Sequence, residues 1–376
     1  MARNTREFAV IGSFALVLNL LKNFFERSRI SFNEFRTSAE KRKQSSSYFN
    51  RLYYIIFIIL IVSFFSLKYL SAGSFVDFHL IDKSRKEFYI NDSRHPWREL
   101  MVRVWYPSDN NNVNMISDAQ QQYPVLIFSH GLGGAFNGNV YAALCQACVK
   151  AGYIVVSISH SYACKPIQFS DGRMTTYFFG EVSRRYLSGQ EMELWEADCQ
   201  YVLDWCGKCA RDQHSLLYNR LDVNKIGMFG HSYGGAAAVQ MCRKDARIKA
   251  AINLDGPLRG NNATMPFNKP LFFIIAASLP HTIPLMTHPL LANDLGWSYA
   301  MHSQEIAIID ALGYAMGDNF YKIVLDGIRH SSFSDEIFNQ HTPLDNTLID
   351  PQVAHAIISR YIIDFFDLHV KGFFYE

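Results

Sequence analysis

Gly230, His231, Ser232, Tyr233 and Gly234 form a G-x-S-x-G sequence. It follows an apolar run, Lys225 to Phe229, and precedes a small-residue run, Gly235 to Ala238. That order is the signature of a serine held on a sharp strand-to-helix turn. Such a turn strains the serine backbone and presses the residues two positions away against strand and helix, where glycine fits. A serine hydroxyl is a poor nucleophile near neutral pH, so the chemistry open to it is acyl transfer, with a histidine base and an acid that orients the base. The bland alternative is a glycine-rich turn whose serine only caps a helix.

Those partners must be positioned by the elements around the turn. After Gly73 the chain alternates short apolar runs with amphipathic segments, which predicts a mostly parallel central sheet with helices on both faces. Phe75 to Leu80 and Leu100 to Tyr106 read as early antiparallel strands. Pro124 to Ser129, Tyr153 to Ser159, Lys225 to Phe229, Ala250 to Leu254, Pro270 to Ala276 and Tyr321 to Leu325 follow as further strands. Helices are expected near Val140 to Ala151, Met192 to Trp205, Ala236 to Arg243 and Gln352 to Val370. Reactive groups in such sheets cluster where strands end.

Three strand ends besides that of Ser232 carry suitable residues. His330 stands just beyond the strand Tyr321 to Leu325, where the general base sits in α/β-hydrolases, and the order serine, acid, histidine is kept. Of the thirteen histidines, His160, at another strand end, is the second choice. Asp255 ends the strand Ala250 to Leu254 and is the expected acid, because Pro270 to Ala276 is followed by no carboxylate; Asp326 is the alternative, and a plain turn aspartate before Gly256 and Pro257 is the bland reading. His130, Gly131, Leu132, Gly133 and Gly134 follow Pro124 to Ser129. Glycines there let backbone N–H groups reach a substrate carbonyl, so Leu132 and Tyr233 are the expected oxyanion-hole donors, with His130 holding the loop.

The chain has 376 residues, 49% of them hydrophobic and 19% charged, with a formal net charge of +2. That is enough to bury one large α/β domain and leave a separate segment over. The charge balance supports no polyanionic partner, and Lys41, Arg42 and Lys43 are too short a run to indicate nucleic-acid binding.

Leu52 to Leu67 contains no charge, and the run reaches Leu70 if Lys68 snorkels, which suffices to cross a bilayer. Phe8 to Leu21 is shorter and more polar. Basic residues between the two stretches outnumber acidic ones and should stay cytoplasmic. The expected organisation is therefore a basic N-terminal region over 1–51, an uncleaved membrane anchor over 52–70, and a catalytic domain over 71–376 on the extracytoplasmic side. Cys145/Cys148 and Cys206/Cys209 have C-x-x-C spacing, which can hold zinc or form a redox pair. They fall in expected helices, where core packing is the simpler reading; Cys206 and Cys209 flank Gly207 and could pair in an oxidising compartment. No metal or cofactor is expected.

Val102 to Asp109, Pro124 to Gly134, Ala151 to His160, Ile226 to Gln240, Ala251 to Pro257 and Gly327 to Asp335 together resemble the platelet-activating factor acetylhydrolases. The resemblance runs from about Leu100 to the C-terminus in the family's order. It implies an α/β-hydrolase fold and a calcium-independent serine esterase that removes a short or oxidised sn-2 acyl group from a phospholipid. It also implies Ser232 as nucleophile, His330 as base and Asp255 as acid. The chain departs from the family in its N-terminal membrane segment and in His281 to Gly317, where Leu285, Met286, Leu290, Leu291 and Trp297 could form an apolar lid or belong to an ordinary packed insertion. A carboxylesterase or peptidase for soluble substrates, and a catalytically silent binding module, are the competing readings.

Overall fold

The computed structural model describes residues 73–109, 112–134, 140–277, 305–339 and 349–373. The described residues belong to one compact unit, 69–376. The expected anchor over 52–70, the stretch Phe8 to Leu21 and the five apolar residues of the suggested lid all lie outside the described residues. Among the described residues no helix is long and apolar enough to cross a membrane.

Among the described residues nine strands form one sheet: β1 Gly73–Lys86, β2 Trp97–Asp109, β3 Asn112–Ile116, β4 Tyr123–Ser129, β5 Ile154–Ser159, β6 Leu221–His231, β7 Ile248–Leu254, β8 Leu271–Ala276 and β9 Phe320–Leu325. Their order is β1-β2-β5-β4-β6-β7-β8-β9, with β3 beside β2. β1 pairs antiparallel with β2, and β2 with β5; every pairing from β5 to β9 is parallel. The antiparallel hairpin and the mostly parallel remainder agree with the expectation from sequence. The short β3 was not expected.

Alternation along the strands divides the core in two, because successive side chains point to opposite faces. Val125 and Ile127 enter one cluster while Leu126 and Phe128 enter the other; Val156 and Val155 divide the same way. With both faces covered, the central strands read as unbroken apolar runs, and β4, β5 and β8 are buried throughout.

The helices are α1 Ala142–Lys150, α2 Phe179–Ser188, α3 Gln190–Cys209, α4 Tyr233–Lys244 and α5 Pro351–Phe366. Residues 305–316 are also helical. Cys199, Val202 and Leu203 of α3, Val239 and Met241 of α4, and Ile309 and Leu312 pack on one face of the sheet. Leu144 and Val149 of α1 and Ile358, Ile362 and Phe366 of α5 pack on the other. Ile309 and Leu312, in the part of His281 to Gly317 that is described, are thus ordinary core. Asp350 caps α5, its Oδ1 accepting from the N–H groups of Gln352 and Val353, with Pro351 as first helical residue. α2 was not expected from sequence.

Candidate active site

Strand β6 runs into α4 through Ser232, whose backbone has φ 55° and ψ −122°. Left-handed φ at a residue with a side chain costs roughly 1 to 3 kcal/mol and is held by its surroundings. The Ser232 N–H donates to Leu254 O at 2.9 Å, and its carbonyl accepts from Gly235 N–H at 2.9 Å. The flanking glycines are required by close approach: a Cβ on Gly230 would lie 2.2 Å from Gly234 O, and one on Gly234 would lie 2.1 Å from Ser129 O.

One strand further, Asp255 follows β7 with φ 51°. Its N–H donates to Ile274 O at 2.8 Å, its Oδ1 accepts from Ala276 N–H at 2.9 Å, and its Oδ2 meets His330 Nδ1 at 2.6 Å. The carboxylate is therefore fixed by β8 before it reaches the imidazole. The Asp255 side chain is 8% exposed and that of His330 55%, so the carboxylate is sheltered while the imidazole faces solvent. With Nδ1–H donated to Asp255, His330 keeps a lone pair on Nε2, the tautomer a general base needs. Among the described residues Ser232 Oγ has no hydrogen-bond partner; such bonds often tighten only when substrate is bound. Asp326, the alternative acid, is exposed, and the Nδ1 it would have to meet is taken.

The glycine loop after β4 closes on the same point, since a Cβ on Gly131 would lie 3.1 Å from Ser232 Cβ. Among the described residues no acceptor meets the N–H of Leu132. Tyr233 opens α4, and the first N–H groups of a helix have no partner within it.

His160, the second choice of base, stands elsewhere. It is fully buried, with Nδ1 3.0 Å from Asp198 Oδ2 and Nε2 3.0 Å from Ser129 Oγ. Both ring nitrogens are occupied, so it cannot serve Ser232. His231 is also buried, 3.0 Å through Nδ1 from Tyr141 Oη, with its ring centroid 4.4 Å from that of His330. Burial, and then the charge of a protonated His330 beside it, hold its pKa well below the ordinary histidine value.

Sequence reasoning missed Tyr141, Trp195, Asp198 and Arg98. Tyr141 Oη accepts from Gly131 N–H at 3.3 Å, joining the glycine loop to His231. Arg98 and Asp198, both fully buried, form a two-pronged ion pair at 2.7 and 3.1 Å. The seven cysteines are all free, Cys206 and Cys209 included. No cluster of His, Cys, Asp or Glu among the described residues is arranged to hold a metal ion.

The strand order, with Ser232 after β6, Asp255 after β7 and His330 after β9 of a mostly parallel sheet, is that of the α/β-hydrolase fold. A ferulic acid esterase from Streptomyces cinnamoneus shares the fold, with a TM-score of 0.60 over 81% of this chain and 92% of that one at 23% identity. The family model for platelet-activating factor acetylhydrolase, isoform II, matches residues 97–176 and 211–372, and the chain belongs to that family.

Relatives include a protein of Arthroderma benhamiae named "Probable 1-alkyl-2-acetylglycerophosphocholine esterase", 32% identical over 72% of this chain and 65% of its own length. The platelet-activating factor acetylhydrolases of Cavia porcellus and Bos taurus are 27% and 28% identical, each over 41% of this chain and 40% of their own length. The chain thus spans less than two thirds of the length of each of these relatives.

Proposed function

We propose that the chain is a calcium-independent serine esterase that hydrolyses short or oxidised sn-2 acyl groups of phospholipids. The observation that carries this reading is the 2.6 Å bond between His330 Nδ1 and Asp255 Oδ2, made by a solvent-facing imidazole. The strained turn at Ser232 and the approach of Gly131 to it add support. Family membership favours the substrate class.

The mechanism follows from the roles these groups can fill. His330 Nε2 takes the Ser232 proton as Oγ attacks the ester carbonyl, and the imidazolium formed is stabilised by Asp255. The N–H groups of Leu132 and Tyr233 receive the negative oxygen. His330 then gives its proton to the leaving alcohol, and water repeats the sequence on the acyl-enzyme. Each amide donor lost from such a site costs roughly 3 to 4 kcal/mol of transition-state stabilisation. Proton transfer and oxyanion binding are both assigned to groups of the chain itself, which is why the reading requires no calcium.

Residues 52–70 are proposed to anchor the protein in a membrane, with the basic region over 1–51 cytoplasmic and the catalytic domain on the opposite side. The support is the uncharged run Leu52 to Leu67 and the positive excess before it. The test of function is hydrolysis of phosphatidylcholines bearing acetyl through palmitoyl at sn-2, with a calcium chelator present, by the wild type and Ser232→Ala. Activity that vanishes in the variant and falls steeply with acyl length is the expected result. Serine-dependent activity confined to soluble esters would replace it with a carboxylesterase reading, and no serine-dependent activity would leave a binding module.

A further inference from the structure

The Gly131–Leu132 peptide unit carries the N–H proposed to hold the oxyanion. Turning a peptide over changes ψ of the residue before it and φ of the residue after it, and Gly131, lacking a Cβ, restricts its own ψ less than other residues would. Turned over, this one would present a carbonyl to the developing negative charge. Something must therefore fix it.

In a trans peptide the carbonyl and the following N–H point in opposite directions, so whatever holds Gly131 O also aims Leu132 N–H. Gly131 O is held from two sides. His130 Nδ1 lies 2.7 Å from it, and Gly134 N–H donates to it at 2.9 Å. His130 can donate only if its proton is on Nδ1. That condition is set by the backbone of His160, whose N–H donates to His130 Nε2 at 3.1 Å and so requires a lone pair there.

His160 is itself fixed. Its Nδ1–H donates to Asp198 Oδ2, leaving Nε2 to accept from the Ser129 hydroxyl. Its ring stacks on Trp195 with centroids 3.8 Å apart and an 11° interplanar angle. Trp195 meets His130 edge-on at 5.1 Å and Tyr233, the other proposed donor, at 5.0 Å. Arg98 grips Asp198 and also donates to Ser161 O at 3.1 Å. Further along, Gly133 N–H donates to Ala163 O and Lys165 N–H to Gly133 O. Residues 160–165 thus lie along the glycine loop as a splint, joined to it at both ends.

We propose that His130 is a positioning residue for the Leu132 oxyanion amide, and that His160 sets the tautomer through which it acts. The proposal rests on the serine esterase reading. Burial together with the neighbouring His160 pushes the His130 pKa down to about 3, so the neutral ring required is the form present wherever the enzyme is folded near neutral pH. His130→Leu keeps the bulk but loses the donor. His130→Asn keeps an N–H close to the δ position.

The test compares full-length wild type, His130→Leu, His130→Asn and Ser129→Ala on a soluble acetyl ester, with kcat expressed per site titrated to completion by a fluorophosphonate. Loss of one oxyanion donor lowers kcat by about 10² to 10³. His130→Leu is expected to fall by at least about 10²-fold in kcat with KM within threefold, and to bind a trifluoromethyl ketone inhibitor correspondingly more weakly. His130→Asn should recover at least tenfold of that loss. Fewer titratable sites with unchanged kcat per site would mean that His130 only supports the fold, and would overturn the proposal. Should His130→Leu not fold, Ser129→Ala loses only the hydroxyl that His160 accepts from; it should lower kcat threefold or more, and an unchanged kcat overturns the proposal equally. Ser232→Ala in the same series separates the two levels, because retained activity there defeats the esterase reading itself.

Discussion

His231 and His330 lie ring against ring, with centroids 4.4 Å apart, one buried and the other 55% exposed on its side chain. The buried ring stays neutral, and Phe333 stacks at 5.7 Å on it. His330 therefore packs against an uncharged ring, and among the described residues its Nδ1 meets the Asp255 carboxylate. An acid at that position should matter more than its exposed partner suggests.

Asp255→Asn is expected to lower kcat by about four orders of magnitude, as loss of the orienting acid does in serine hydrolases. Asparagine can still accept from Ala276 N–H through Oδ1, so thermal stability should change little. Steady-state kinetics with a melting curve checks both, and a loss below tenfold would remove Asp255 from the mechanism.

Gly230→Ala and Gly234→Ala should be poorly soluble. A new Cβ would stand 2.1 to 2.2 Å from backbone oxygen, which a rotamer change cannot relieve. We expect a cost above about 3 kcal/mol for either, at the upper end of overpacking effects. Urea unfolding of whatever soluble protein remains is the measurement, and a wild-type midpoint would contradict the close approach of the elbow to β4.

Arg98→Met should cost about 3 to 5 kcal/mol, the usual price of stranding a buried charge. Burial alone would raise the Asp198 pKa, but Arg98, His160 and Arg85 outweigh it and hold the carboxyl well below its ordinary range. Without Arg98 that carboxylate keeps only part of its compensation. The double variant Arg98→Met, Asp198→Leu should be more stable than the single one; a less stable double variant would refute this account.

Stability should fall as pH drops below about 6.5. Burial first, with the charge on His160 second, pushes His130 down to about 3, and burial is also the largest cause lowering His160 and His231. Unfolded, these histidines titrate near 6.5, so in that interval the unfolded chain binds protons that the folded chain refuses. Each contributes a loss of up to about 1.4 kcal/mol per pH unit. Asp335 acts in the opposite sense: burial raises its carboxyl from 3.8 to about 6, so its contribution is present at low pH and lost as pH rises through about 6. Three histidines outweigh one carboxyl, and the urea midpoint should fall from pH 7 to pH 5. A level or rising midpoint would contradict it.

Ser232, Asp255, His330 and the glycine loop were legible because each sits at the end of an apolar run, and strand ends are visible in a single sequence. Asp255 was reached by elimination, from the lack of a carboxylate after β8. The network behind the loop was not legible. Arg98 and Asp198 are a hundred residues apart in sequence, and His160 and Asp198 thirty-eight; which polar residues meet across such separations is decided by packing, for which no local pattern exists. His160 looked like a base because a strand-end histidine gives the same signal whether it faces a cleft or the interior. Helix α2 escaped because its buried contacts come from only Val182 and Arg185, too few for a periodic pattern.

The pairing register has a consequence of its own. Ser129 pairs with Gly230, His231 with Leu254, and Leu254 with Ile274. The glycine loop, Ser232 and Asp255 thus leave the sheet from one lateral row, like marks on a ruler. Removing a single residue from β4, β6 or β7 would shift one mark by about 3.3 Å and turn its side chain to the opposite face. Length can change freely in the connections between those strands, and almost nowhere within them. Variation in chain length among relatives should therefore fall outside these strands, leaving the spacing from each strand to Leu132, Ser232 or Asp255 constant.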